Sequence, residues 1–236
     1  MLVIADSGST KADWLLAENG KVIRSFSTMG FNPFFHDSQT VLKELNKNKS
    51  LKKYSGKIKE VHFFGAGCSS RSRNKIIADG LKKFFKTAKI TVEHDLLASA
   101  LATCNGKPGI TCILGTGSNA CYFDGKKLAE VRHGLGYVLG DEGSASFFGK
   151  KLLAFYLYKI LPADLDADFK RKYRLSKEKI VNHVYHKPNP NVYLASYSKF
   201  LSRHIHHPYI KKLISDGMKY FLETNVVSYK EHKKVP

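Results

Sequence analysis

Leu2-Val3-Ile4-Ala5-Asp6-Ser7-Gly8-Ser9-Thr10-Lys11-Ala12-Asp13-Trp14 is the stretch on which the reading of this chain turns. A short apolar run stops at a turn of Asp, Gly and hydroxyl residues, and a second apolar run around Trp14 follows at once. Such a turn presents backbone N–H groups and short side-chain donors to an anion, with no Cβ at Gly8 to hold a phosphate away. Residues 2–5, 12–17 and 21–27 read as three short strands, the first of them buried, with Glu18-Asn19-Gly20 as a tight hairpin turn. The loop therefore joins two strands. In P-loop and dinucleotide-binding folds the phosphate loop opens straight into a helix.

A second copy of the pattern lies at Gly115-Thr116-Gly117-Ser118-Asn119, after the apolar run Ile110 to Leu114. Two such loops in matching positions suggest a duplicated α/β unit whose halves grip a polyphosphate from opposite sides. A β-branched side chain at Gly8 or Gly117 would fill the space a phosphate needs and resist a positive φ.

Between the copies, a helix is expected from Ser38 to Leu45, a buried strand over 61–67 and a helix over 70–85 with Ile76, Ile77, Leu81 and Phe84 at helical spacing. Residues 90–95 then read as a strand and 96–104 as a small-residue helix. Beyond 110 the pattern restarts, with strands over 111–123 and 127–132 joined at Asp124-Gly125. Helices are expected over 144–160, 176–185, 192–204 and 209–222. Gly106-Lys107-Pro108-Gly109 marks a boundary between domains 1–105 and 106–236.

The chain has 236 residues, enough for a substantial core. No apolar run of about 18 residues and no signal-peptide order is present, so no membrane partner and a cytoplasmic location are expected. The formal net charge is +19. Its excess is spread over both halves as scattered groups such as Lys52-Lys53, Lys82-Lys83, Lys170-Arg171-Lys172 and Lys211-Lys212, which read as solvated helix faces rather than a nucleic-acid stripe. Cys68, Cys104, Cys112 and Cys121 lack C-x-x-C spacing and are expected to be buried free thiols. Asp164, Asp166 and Asp168 imitate the start of an EF-hand, but Phe169 and Leu175 stand where its Gly and bidentate Glu belong. The histidines at 183, 186, 204, 206 and 207 have no metal-ligand spacing.

Read in order, IADSGSTKADW, EHDLLASA, ILGTGSNA and LGYVLGDEGSA resemble the BadF/BadG/BcrA/BcrD ATPase family, in particular its N-acetylglucosamine kinase-like members. The resemblance implies an α/β, actin-like ATPase (ribonuclease-H-like) fold of two domains with a cleft between them, the second helix-rich. It implies an ATP-dependent sugar kinase acting on a hydroxyl of N-acetylglucosamine or glucosamine, most simply the 6-hydroxyl, with ATP and Mg²⁺ as cofactors. Asp6, Gly8, Ser9, Thr10 and Lys11 would face the ATP phosphates, Asp6 reaching the hydrated Mg²⁺, and Gly115, Thr116 and Gly117 would hold the phosphates from the other domain. Asp95, where a strand meets a helix, would be the general base, although Asp is also a favoured helix N-cap. Asn32, Asp95, Ser118, Asn119, Gly136 and Asp141 would contact the sugar, with Gly134 letting backbone approach the ring. The implied partners are the amino sugar and ATP, with a homodimer allowed and nucleic acid not expected. Family members carry a late Gly-Ser segment that cups the adenosine; residues 223–236 hold no such motif, so an incomplete adenosine wall is the expectation. Two other readings stay open at this stage: an activator ATPase sharing an iron–sulfur cluster, and a non-catalytic sugar- or nucleotide-binding protein.

Overall fold

A computed structural model of the chain describes residues 1–129 and 134–235. The first strands are β1 (Leu2–Ser7), β2 (Lys11–Glu18) and β3 (Lys21–Met29). Asn19 and Gly20, both at positive φ (50° and 75°), make the tight β2–β3 turn, as the Asn-Gly pair predicts. After α1 (Ser38–Lys47) and the single turn α2 (Lys49–Lys52) come β4 (Glu60–Gly65), α3 (Arg71–Phe84), β5 (Lys89–His94) and α4 (Asp95–Thr103). The sheet order is β3-β2-β1-β4-β5, antiparallel across β3, β2 and β1 and parallel across β1, β4 and β5.

The expected burial of the first strand holds for one face only. Val3, Ala5 and Ser7 are buried while Ile4 is 40 % exposed, because successive side chains leave a strand on opposite sides. The buried face meets Val41, Leu45, Ile77 and Leu81 of α1 and α3. Trp14 centres this core, with its ring 5.8 Å from that of Phe63 and its Nε1–H donating to Thr28 Oγ1 at 2.9 Å. Full burial of such a ring stabilises the unit by about 3 kcal/mol. The other sheet face carries Asp6 and Asp13, paired directly across β1 and β2. Helix α1 is capped by Asp37, whose Oδ1 accepts from Thr40 N at 2.8 Å, so Ser38 is its first residue rather than its cap.

The chain forms two compact units, Met1–Lys107 with Gly125–Leu128, and Pro108–Asp124 with Ala129–Pro236. The second begins with the antiparallel pair β6 (Gly109–Leu114) and β7 (Ser118–Phe123). Of the strand expected over 127–132, residues 130–132 lie outside the described residues, while Leu128 forms a single β-bridge and Ala129 N donates to Tyr122 O at 2.8 Å. Helices follow: α5 (Gly136–Leu139), α6 (Ala145–Leu157), α7 (Ala163–Tyr173), α8 (Lys177–His186), α9 (Pro190–Ser196), α10 (Ser198–Arg203) and α11 (Pro208–Phe221), which runs into a π-helical turn at Leu222–Val226. A short 3₁₀ turn at Lys230–Lys233 ends the order.

Two helical expectations need correction. The helix expected over 192–204 is two, because the chain tightens where Tyr197 N donates to Leu194 O at 3.2 Å, a three-residue turn that lets the Tyr197 ring sit 4.9 Å from that of Tyr173. Helix α7 is absent from the helix ranges expected from sequence, although Lys170-Arg171-Lys172 read as a helix face. Its signals were Asp164 and Asp166 in the first turn and Lys170, Arg171 and Lys172 in the last, which oppose the helix dipole at each end. The Asp run read as an EF-hand imitation therefore lies in a helix, where Asp168 meets His204 Nε2 at 2.9 Å and Asp164 meets His207 Nε2 at 3.3 Å. Leu165 and Phe169 turn its other face into the core with Leu152, Leu201 and Ile210. Among the cysteines, Cys68 and Cys121 are buried, whereas Cys104 and Cys112 are half-buried.

Candidate active site

In the first unit the candidate residues gather where the three parallel strands end. Register places Asp6 beside Phe64 and Phe64 beside Glu93, so Asp6 and Asp95 stand at the same end of the sheet, on β1 and just past β5, with β4 between them. The Asp6 carboxyl is held above its ordinary range, first by the protein packed around it and then by the negative charges of Asp95 and Asp13, although the residue as a whole remains solvent-accessible. Such crowding of carboxylates suits a divalent cation. Among the described residues no three His, Cys, Asp or Glu side chains form a protein-only metal cage, but Mg²⁺ keeps most of its waters and takes one or two carboxylates beside phosphate oxygens, so Asp6 fits that role.

The raised Asp6 value has a consequence for stability. Below the ordinary value of 3.8 Asp6 is protonated in folded and unfolded chains alike, and folding carries no penalty; as pH rises through the folded value, the folded state must hold an unfavourable charge. Asp6→Asn is therefore expected to raise Tm at pH 7 and leave it nearly unchanged at pH 3. Equal shifts at both pH values in a calorimetric melt would contradict this.

The loop after β1 is closed by its own backbone, with Gly8 N donating to Lys11 O at 3.0 Å. A Cβ at Gly8 would meet only Lys11 O, at 3.7 Å, so that side of the turn has open space. Ser7 is fully buried, and its Oγ accepts from Phe31 N at 2.8 Å, tying the loop to the segment that carries Asn32. Asn32, 7 % exposed, donates from Nδ2 to Ser9 Oγ at 3.2 Å and accepts at Oδ1 from Phe34 N at 3.0 Å. Thr10 O accepts from Gly30 N at 3.1 Å. Lys11 does not stand alone: its Nζ lies 2.7 Å from Asp13 Oδ1, which also accepts from Ser27 Oγ, and these bonds hold the Asp13 carboxyl below its ordinary range.

Asp95 is the first residue of α4, and its side chain is only 13 % exposed. The N-cap is His94, whose Nδ1 accepts from Leu96 N at 3.1 Å, so the capping position falls one residue earlier than the alternative reading of Asp95 required. Asp95 Oδ1 also accepts from Leu96 N at 2.9 Å. Nearby, burial and then the Asp95 charge push the Cys68 thiol up to about 12, which leaves it inert.

In the second unit Gly115 to Asn119 connect β6 and β7. The carbonyls of Gly115 and Thr116 accept from Ala145 N and Ser146 N at 2.9 and 3.0 Å, so the first turn of α6 is satisfied by this loop. Asp141, at φ 59°, accepts from Ser118 N at 3.3 Å, and burial holds its carboxyl above the ordinary range. Ser118 Oγ donates to Glu142 O at 2.7 Å, and Asn119 Oδ1 accepts from Ala120 N at 2.9 Å. Gly134 lies against the Asn119 amide, and Gly136 has no neighbour where a Cβ would stand. Positive φ occurs at Gly134, Gly136 and Gly143 but not at Gly8, Gly115 or Gly117. The expected backbone argument thus fails at both loops; at Gly117 the constraint is instead the Asp141 carboxylate, 2.8 to 3.1 Å from where a Cβ would be.

Four residues join these groups without having been singled out: Ser7, His94, Glu142 and Asn225. Ser7 and Glu142 sit inside the quoted motifs, and His94 adjoins Asp95. Asn225 had no signal, because only the π-helical turn brings its Nδ2 to 3.4 Å from Glu142 Oε2, across 83 residues.

The chain matches no protein-family model and none of the curated proteins. Among solved structures it is similar over its whole length to a protein of Porphyromonas gingivalis provisionally named an N-acetylglucosamine kinase, with 36 % identity, a TM-score of 0.92 and 84 % of that chain covered. A protein of Chromobacterium violaceum, given the same provisional name, shares 15 % identity with a TM-score of 0.62, over 100 % of this chain and 85 % of that one. MreB5 of Spiroplasma citri bound to ADP shares 12 % identity with a TM-score of 0.51, over 99 % and 80 %. The last two bear on the fold alone, which is that of the actin-like ATPases. At 36 % identity across every residue, with the strand-end aspartates and both glycine loops in place, this chain belongs to the same family of actin-like sugar kinases as the Porphyromonas protein.

Proposed function

We propose that the chain is an ATP-dependent kinase that phosphorylates an amino sugar, N-acetylglucosamine or glucosamine, at its 6-hydroxyl, and that it belongs to the BadF/BadG/BcrA/BcrD lineage on the strength of its four ordered motifs. The whole-length similarity to the Porphyromonas protein carries this reading. In the proposed reaction the Asp95 carboxylate takes the proton of the sugar hydroxyl as that oxygen bonds to the γ-phosphorus, and the bond to the β,γ-bridging oxygen breaks, its electron pair leaving with ADP. Mg²⁺ held at Asp6, when bound, neutralises charge on the phosphate oxygens. Gly8, Ser9, Thr10 and Lys11 on one loop and Gly115, Thr116 and Gly117 on the other are assigned to the phosphates. Asn32, Ser118, Asn119, Gly136 and Asp141 are assigned to the sugar, whose hydroxyls need several fixed donors and acceptors.

The test is direct: purified chain, ATP, Mg²⁺ and each candidate sugar, with the product followed by ³¹P NMR. A sugar 6-phosphate resonance is expected, and release of ADP that no amino sugar accelerates would overturn the proposal. Within it, Asn32→Ala is expected to raise the KM for sugar about tenfold with kcat changed less than about threefold, because this side chain is buried and oriented by Ser9 and Phe34 N. An unchanged KM would remove Asn32 from the sugar site.

A further inference from the structure

His94 Nδ1 lies 2.7 Å from Asp95 Oδ1, and both side chains are 13 % exposed. Two unprotonated acceptors do not approach to that distance, so a proton lies between them. Leu96 N points at the same pair, 2.9 Å from Asp95 Oδ1 and 3.1 Å from His94 Nδ1, and can serve either atom. With the imidazole proton on Nδ1, directed at Oδ1, the amide goes to Oδ1 as well. Both contacts then engage one oxygen of the carboxylate and fix the plane of the group. The Asp95 charge also acts on Asp6 and on the neutral Cys68 thiol.

We propose that His94 is a positioning residue: its Nδ1–H holds Asp95 Oδ1 so that Oδ2 is presented to the acceptor hydroxyl. The inference rests on Asp95 being the general base of the proposed kinase. A side chain free to rotate about χ2 would offer the reacting oxygen only part of the time, whereas one pinned at Oδ1 presents it continuously. His94 also occupies the N-cap position of α4, and the two duties are separable: with the proton on Nδ1 the Leu96 amide is served by Asp95 Oδ1, and His94 does not accept from it. Ala removes both. Asn caps a helix at least as well as His and carries an amide N–H at about the reach of Nδ1.

The experiment compares His94→Ala and His94→Asn with the parent in steady-state kinetics, alongside ¹⁵N–¹H NMR of the imidazole in the parent and in Asp95→Asn. His94→Ala is expected to lower kcat about tenfold or more while leaving the KM for sugar within about threefold, and His94→Asn is expected to restore most of the loss. The parent should show a slowly exchanging Nδ1–H resonance displaced downfield, moving in Asp95→Asn. Parent-like kcat in a folded His94→Ala, or His94→Asn as impaired as His94→Ala, would overturn the proposal, as would an imidazole protonated at Nε2 alone. Should Asp95→Asn itself keep full turnover, the general-base reading fails instead, and the NMR signature still reports whether the pair exists.

Discussion

Replacing Asp95 by Asn should lower phosphoryl transfer by about 10²-fold or more while leaving amino-sugar binding within roughly tenfold. A general base acts on a proton that moves only in the transition state, so its loss falls on kcat, and a hundredfold loss corresponds to about 2.7 kcal/mol of barrier. Asn keeps the shape of Asp and still accepts from Leu96 N through its carbonyl oxygen, as Oδ1 does at 2.9 Å. The start of α4 is therefore preserved. Isothermal titration with sugar, paired with a coupled ADP assay, separates the two effects. Retained turnover would make Asp95 a structural residue and refute the mechanism.

The same small substitution in the two glycine loops should have opposite outcomes. Gly8→Ala adds a methyl whose nearest neighbour is Lys11 O at 3.7 Å, an ordinary contact, so Tm should stay within about 2 °C. If that open side is where phosphates lie, affinity for a non-hydrolysable ATP analogue with Mg²⁺ should fall about tenfold or more, because the methyl occupies the approach to the backbone amides. Gly117→Ala instead drives a methyl onto Asp141, whose carboxylate atoms would be 2.8 to 3.1 Å away. Displacing a half-buried carboxylate that accepts from Ser118 N should cost about 1–3 kcal/mol of stability before any ligand is considered. Calorimetric titration and thermal melts of both variants decide the matter. Unchanged nucleotide affinity in Gly8→Ala would take the first loop out of the phosphate site, and an unchanged melt in Gly117→Ala would contradict the close approach to Asp141.

Much of the first unit could be read residue by residue, since its signals are local. Asn19-Gly20 dictates its own turn through the φ values that Asn and Gly tolerate, and Ser70 caps the helix that follows it. The second unit was less legible. The bounds of α7 are not set by its sequence, where only Lys170-Arg171-Lys172 read as a helix face, and the break at Tyr197 follows from ring packing with Tyr173 and Phe169 rather than from any helix-breaking residue.

The sequence by itself determined the strand–loop–strand context of both glycine turns, the strand-to-helix junction at Asp95, and an ordered set of motifs specific enough to point to a sugar kinase. Each turn, junction and single motif depends on residues within about a dozen positions of one another, where backbone preference and spacing are enough. Only the tertiary structure decided that His94 rather than Asp95 occupies the N-cap position of α4, that Gly117 is constrained by Asp141 rather than by its own φ, and that a π-helical turn carries Asn225 to Glu142. Those contacts depend on which side chains converge once strands and helices have packed. A side-chain oxygen a few tenths of an ångström nearer or farther changes which of two acceptors takes an N–H, and no local preference in the chain encodes that distance.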